Sequence, residues 1–218
     1  MTKFLKLYSH QNSLGKALLL TFVIWLIYRL FFRFPEWFDE AVVKALVFGM
    51  PAWVYAREVK NSNAKIGLSN KSFWKGMFIG LLLGGFYQFV VVLGFRLRGE
   101  ENLRYFLLSS PAFWKVFLLA VLTAWWESLF FFGYVLNRLL EKTKNVEMVA
   151  VGLAIIVFLI FHAPLRVILV GSSQQLIGEL IILGIFAAGQ AILYLRTRSL
   201  YAVTISHALW GLVFMIYG

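Results

Sequence analysis

The chain contains no cysteine, which excludes disulfides, thiolate zinc sites and a cysteine nucleophile and leaves the compartment open. Any chemistry therefore falls to Glu, Asp, His, Ser and Lys. Charge is scarce too: 14% of the 218 residues are charged, 61% are hydrophobic, and the mean hydropathy is +0.80. A soluble globular domain is ~45 to 50% apolar, so the composition excludes that class and points to an integral membrane protein. Long linkers, low-complexity stretches and repeats are absent, so residues 1–218 read as a single membrane-embedded domain.

A membrane-crossing helix needs about 20 apolar residues. Roughly seven stretches approach that: Leu14 to Phe32, Ala41 to Ala56, Trp74 to Gly94, Phe113 to Leu136, Val149 to Val170, Leu176 to Leu195 and Leu200 to Tyr217. They are too long and too continuously apolar for a transmembrane β-barrel. The expected fold is all-α, a polytopic bundle of transmembrane helices. No small-residue cleavage site follows the first run, which reads as a retained helix rather than a signal.

The formal net charge is +11. The basic residues lie in the short connections, where they orient the chain in the membrane, so no nucleic-acid partner is expected. Counting them places the N-terminus and the stretch Arg57 to Lys75 in the cytoplasm and Gly218 outside. Leu103 to Leu108 is expected to form a short interfacial helix. Gly76, Gly80 and Gly84 give one helix face small residues at four-residue spacing, a close-packing signal.

Against this apolar background three residues stand out. Glu127 lies inside Phe113 to Leu136, and His162 and His207 lie inside two later runs. A bare charge at the bilayer centre costs on the order of 2.5 to 3.5 kcal/mol by insertion scales, so such residues have a partner or a use. At about 1.5 Å per residue, Glu127 lies roughly 17 Å in from Arg138, His207 roughly 14 Å in from Arg198 and His162 about 20 Å in from Val149. The matching depths bring the three together. A single buried histidine more often bridges helices than catalyses, but three polar groups at one depth read as a site.

A carboxylate and two imidazoles have two uses. They activate a water, with the carboxylate as base, or they form the three-ligand face of a catalytic zinc site. With Glu127 as a ligand, only Glu179, near an outer helix end, remains as a base. Metal-free water activation is the more economical reading and no cofactor is expected, with zinc on Glu127, His162 and His207 as the alternative.

The segments Glu127-Ser-Leu-Phe-Phe-Phe-Gly133, Phe158-Leu-Ile-Phe-His162 and Ser206-His207-Ala-Leu-Trp-Gly211 resemble the CPBP family of intramembrane proteases. That family groups the CAAX prenyl endopeptidases with bacteriocin-processing and abortive-infection proteins. Its motifs are Glu-Glu-x-x-x-Arg, Phe-x-x-x-His and His-x-x-x-Asn. Glu127, Phe158 with His162, and His207 match them, and Phe131 and Gly133 fit the first motif's ending. Ile66-Gly67-Leu68 and the glycines from Gly76 extend the likeness to about residues 64–215. Ser128, Phe132 and Gly211 replace the second glutamate, the arginine and the asparagine.

The resemblance implies that Glu127 and one histidine activate water while the other histidine and the asparagine stabilise the oxyanion. With Phe132 in place of arginine, it also implies that Glu127 lacks the cation expected to hold it charged and oriented. The catalytic candidates are Glu127, His162 and His207; Trp126, Phe131, Phe158, Trp210 and Gly211 are candidates for the substrate pocket. The expected activity is a membrane-embedded peptidase of the plasma membrane, acting on a peptide or protein substrate at the lipid bilayer. The alternative is a catalytically weak or inactive membrane scaffold or regulator.

Overall fold

A computed structural model of the chain describes residues 8, 13–32, 34–59, 65–69, 73–97, 110–169 and 172–217. Its helices are α1 (Leu14–Phe31), α2 (residues 36–58), α3 (Phe73–Leu97), α4 (Ala112–Lys142), α5 (Glu147–Leu169), α6 (Ser173–Thr197) and α7 (Leu200–Tyr217). No strand occurs among the described residues. Among the described residues five helices are long and apolar enough to cross a membrane: α1, α3 over Phe73–Gly94, α4, α5 over Glu147–Pro164, and α6; Leu200–Val213 of α7 is a shorter apolar helix. The fold is an all-α transmembrane bundle and the chain an integral membrane protein. The segment Leu103 to Leu108 lies outside the described residues.

One helix departs from expectation, and another keeps the length of its run, Val149 to Val170, across a proline. The run Ala41 to Ala56 is part of the longer α2, which also carries Asp39, Glu40 and Lys44 and is not among the five apolar spans. Pro164 was a natural place for α5 to kink or end, because it lacks an N–H to donate to the preceding turn. Instead α5 continues to Leu169 with Pro164 inside it. One missing donor at the end of a helix this long does not outweigh the bonds on either side.

The second half of α4 is the centre of the bundle. Every residue from Glu127 to Leu140 is buried, as expected of a helix apolar on all its faces. Its neighbours are α2, α5, α6 and α7. The helix α7 also packs along α3, where the glycine spacing has its effect: a Cβ added at Gly80 would stand 2.6 Å from the Ala202 carbonyl oxygen, and Gly76 and Gly84 meet Ser199 and Leu209 as closely. Small residues here let two backbones approach.

At the far end of α4 a polar knot ties the 65–68 turn to the bundle. The Asn137 amide donates to the carbonyls of Lys65 (3.0 Å) and Gly133 (2.8 Å) and lies 2.7 Å from the Tyr194 hydroxyl, which itself donates to the Lys65 carbonyl at 2.9 Å. Gly67, with φ +84°, turns its carbonyl to accept the Leu200 N–H at 2.8 Å.

Candidate functional site

Glu127 sits at the end of the regular first half of α4. From Leu129 to Leu136 the helix widens into π-type turns, in which backbone bonds reach one residue further than in an α-helix, a form common at functional sites. Facing it, Lys44 lies between two further π stretches, Asp39–Val43 and Ala45–Gly49, on α2. Wide turns therefore adjoin both charged residues.

Lys44 and Glu127 are both buried, 5% and 7% exposed. A buried charge is tolerated only when paired. The Lys44 ammonium lies 2.9 Å from Glu127 Oε1 and 2.7 Å from Glu40 Oε2, one turn back on α2. Thr123, one turn before Glu127 on α4, donates its hydroxyl to that same Glu40 oxygen. Two helices are thus laced by one cation, two carboxylates and one hydroxyl.

The second oxygen of Glu127 faces the imidazoles. Oε2 lies 3.6 Å from His162 Nε2 and 3.6 Å from His207 Nε2. A separation of 3.6 Å is beyond a direct hydrogen bond and suits a shared water or reacting atom. The His162 ring stacks on Phe158, centroids 4.1 Å apart, and its Nδ1 is 2.8 Å from the Phe158 carbonyl. A carbonyl only accepts, so Nδ1 donates to it, and in the neutral ring this leaves the lone pair on Nε2. On the other ring, His207 Nδ1 lies 3.4 Å from the Ser128 hydroxyl.

Two cavities open on this cluster. One, about 280 Å³, is lined by Trp25, Arg29, Lys44, Glu127, Phe161 and His162 among others. The other, about 440 Å³, is walled by Phe158, Ile182, Leu183, Phe186, His207, Trp210 and Gly211. His162 and Arg166 line both, and Arg166 pairs with Glu179 at 3.0 Å.

The structure therefore brings Glu127, His162 and His207 together and places Phe158, Trp210 and Gly211 in a cavity wall. Trp126 and Phe131 line neither cavity. Trp126 lies over Gly49, where a Cβ would fall 2.8 Å from its ring, and Phe131 packs among Phe48, Phe158 and Phe161 with its ring 5.8 Å from that of His162. Phe132, at the arginine position of the resemblance, is fully buried beside Phe158. The inference that Glu127 lacks a cation is overturned, because Lys44 supplies one from a different helix. No group of three or more His, Asp or Glu among the described residues could hold a metal ion.

Residues 109–213 match the family model for type II CAAX prenyl endopeptidase Rce1-like proteins. The match contains α4 to α6, α7 as far as residue 213 and all three motif segments, while Ile66 to Leu68 and the Gly76 run lie upstream of it. No curated protein and no solved structure matches the chain.

Proposed function

We propose that the protein is a metal-free intramembrane endopeptidase that hydrolyses a peptide bond of a membrane-associated or lipid-modified substrate. The observation that carries this reading is the position of Glu127 Oε2, equidistant at 3.6 Å from both Nε2 atoms. A water held between Oε2 and His162 Nε2 has its two protons directed at two acceptors. Its oxygen is then free to attack a carbonyl carbon. Glu127 takes the proton as the C–O bond forms, the oxyanion collects at His207, and the proton passes to the departing amine as the C–N bond breaks. Ser128 Oγ lies 3.4 Å from His207 Nδ1; with the hydroxyl as donor, that ring's proton sits on Nε2, where it can hydrogen-bond the oxyanion.

The 440 Å³ cavity beside His207 is mostly aromatic and aliphatic. It suits an apolar side chain or lipid group next to the scissile bond. The family match over residues 109–213 supports the same reaction class.

One observation favours a second reading, a membrane scaffold without catalysis. Gly211 offers no side-chain donor to the oxyanion, a loss worth on the order of 10² to 10³ in rate.

The test uses the full chain in liposomes with two internally quenched peptides, one carrying a farnesylated cysteine near its C-terminus and one unmodified. Glu127→Gln keeps shape and removes the proton acceptor. Cleavage that falls by about 10² to 10⁴ in a folded variant supports the peptidase. Cleavage equal to that of the parent chain, or none by either protein, leaves the scaffold.

A further inference from the structure

The polar cluster contains a residue that water activation does not itself require. Lys44 is buried, reaches the site from α2, and spends its ammonium on Glu40 Oε2 and Glu127 Oε1. Its own helix turns wide on both sides of it. Lys44 also lines the smaller cavity together with Glu127 and His162, so it belongs to the site and not to a remote packing contact.

We propose that Lys44 is the positioning residue of this site: by holding Oε1 of Glu127 it keeps the carboxylate ionised and leaves Oε2 alone to face the two imidazoles. The inference rests on the reading of Glu127 as the base and assigns what orients it. A carboxylate has two equivalent oxygens and can rotate about its last bond. With one oxygen in a charge-assisted hydrogen bond, the plane of the group is set and the second oxygen has a single address, the 3.6 Å gaps to His162 and His207. Glu40, fixed by Thr123, gives the ammonium a second anchor that survives any proton transfer at Glu127. The cation therefore stays in place through a catalytic cycle. Without it, Glu127 would be a buried charge with no cationic partner, and such a group takes up a proton instead.

Two readouts separate this role from a structural one, and from the peptidase reading. The first needs no substrate: infrared spectra of the full chain in liposomes, with glutamate side chains carbon-13 labelled. Lys44→Met should reveal a protonated-carboxyl band that is absent in the parent, absent in Lys44→Arg and removed in Lys44→Met/Glu127→Gln. The second is cleavage of the farnesylated quenched peptide. There Lys44→Met should lower kcat about 100-fold, the scale of acid–base catalysis, with KM little changed, and Lys44→Arg should restore most of it.

If the parent cleaves nothing, the peptidase reading fails while the infrared result still decides the role of Lys44. No new band in Lys44→Met, or an unchanged kcat in an active protein, overturns the proposal. Should Lys44→Met not fold, Lys44→Gln/Glu40→Gln keeps the hydrogen-bonding shape without a second stranded carboxylate, and the same band and the same kcat loss are expected of it.

Discussion

Gly211 follows His207 by one helical turn on α7, and both line the wall of the same 440 Å³ cavity. A Cβ built at Gly211 would meet nothing within 4 Å. The position has room for a side chain in the wall of the cavity that His207 also lines. Gly211→Asn should therefore fold normally and, if a missing donor limits the rate, raise kcat by up to about 10²-fold, the scale of one oxyanion contact. The measurement is kcat on the farnesylated quenched peptide, and no gain in a well-folded variant would mean that the oxyanion is already satisfied.

Gly80→Leu should behave in the opposite way. The Ala202 backbone leaves no space for a side chain there, so α3 and α7 must separate. Overpacking of this kind costs typically about 1 to 3 kcal/mol. A drop in melting temperature in detergent, with cleavage per folded molecule unchanged, is the expected result; a melting temperature equal to that of the parent would show that the seam is looser than described.

Asn137→Ala removes the amide that ties the Lys65 and Gly133 carbonyls to α4 and leaves the Tyr194 hydroxyl one partner short. Leaving buried polar groups unmet costs about 1 to 3 kcal/mol. Thermal unfolding should shift accordingly, and protease nicking in the segment before α3 should become faster. A variant as stable as the parent, with the same nicking rate, would show that the knot contributes little.

The distribution of positive charge predicts the α4–α5 turn in the cytoplasm and the start of α6 outside. Asn145 and Ser172 are both exposed, and the chain has no native cysteine. Asn145→Cys and Ser172→Cys should react with an impermeant thiol reagent from opposite faces of sealed vesicles. Labelling from a common face would overturn the assigned orientation.

The bundle and the meeting of Glu127, His162 and His207 were legible because a polar residue is conspicuous inside an apolar run, and a fixed rise per residue turns sequence position into depth. Lys44 obeys the same rule, lying inside Ala41 to Ala56, yet nothing in the sequence singles it out. A lysine four residues from the start of a run passes for a head that reaches back to the interface. Only the continuation of α2 back to residue 36 puts it at the depth of Glu127. Adjacency to Glu127 in sequence points Trp126 to the pocket, but neighbours on a helix point about 100° apart. Phe131, one turn beyond Glu127, would share its face on a regular helix; the wide turns from Leu129 change the phase, and the ring enters the aromatic core.

Those wide turns also mark where α4 tolerates a change in length. Removing one residue from a regular helix turns everything beyond it by about 100°, which here would swing Asn137 away from Lys65 or Glu127 away from Lys44. A π turn holds one residue in excess of the regular winding. A single deletion within Leu129–Leu136 can relax it to an ordinary helix with both flanks still in register, so this stretch, although buried, is where shortened relatives of the chain would keep the cation, the base and the Asn137 knot in their present places.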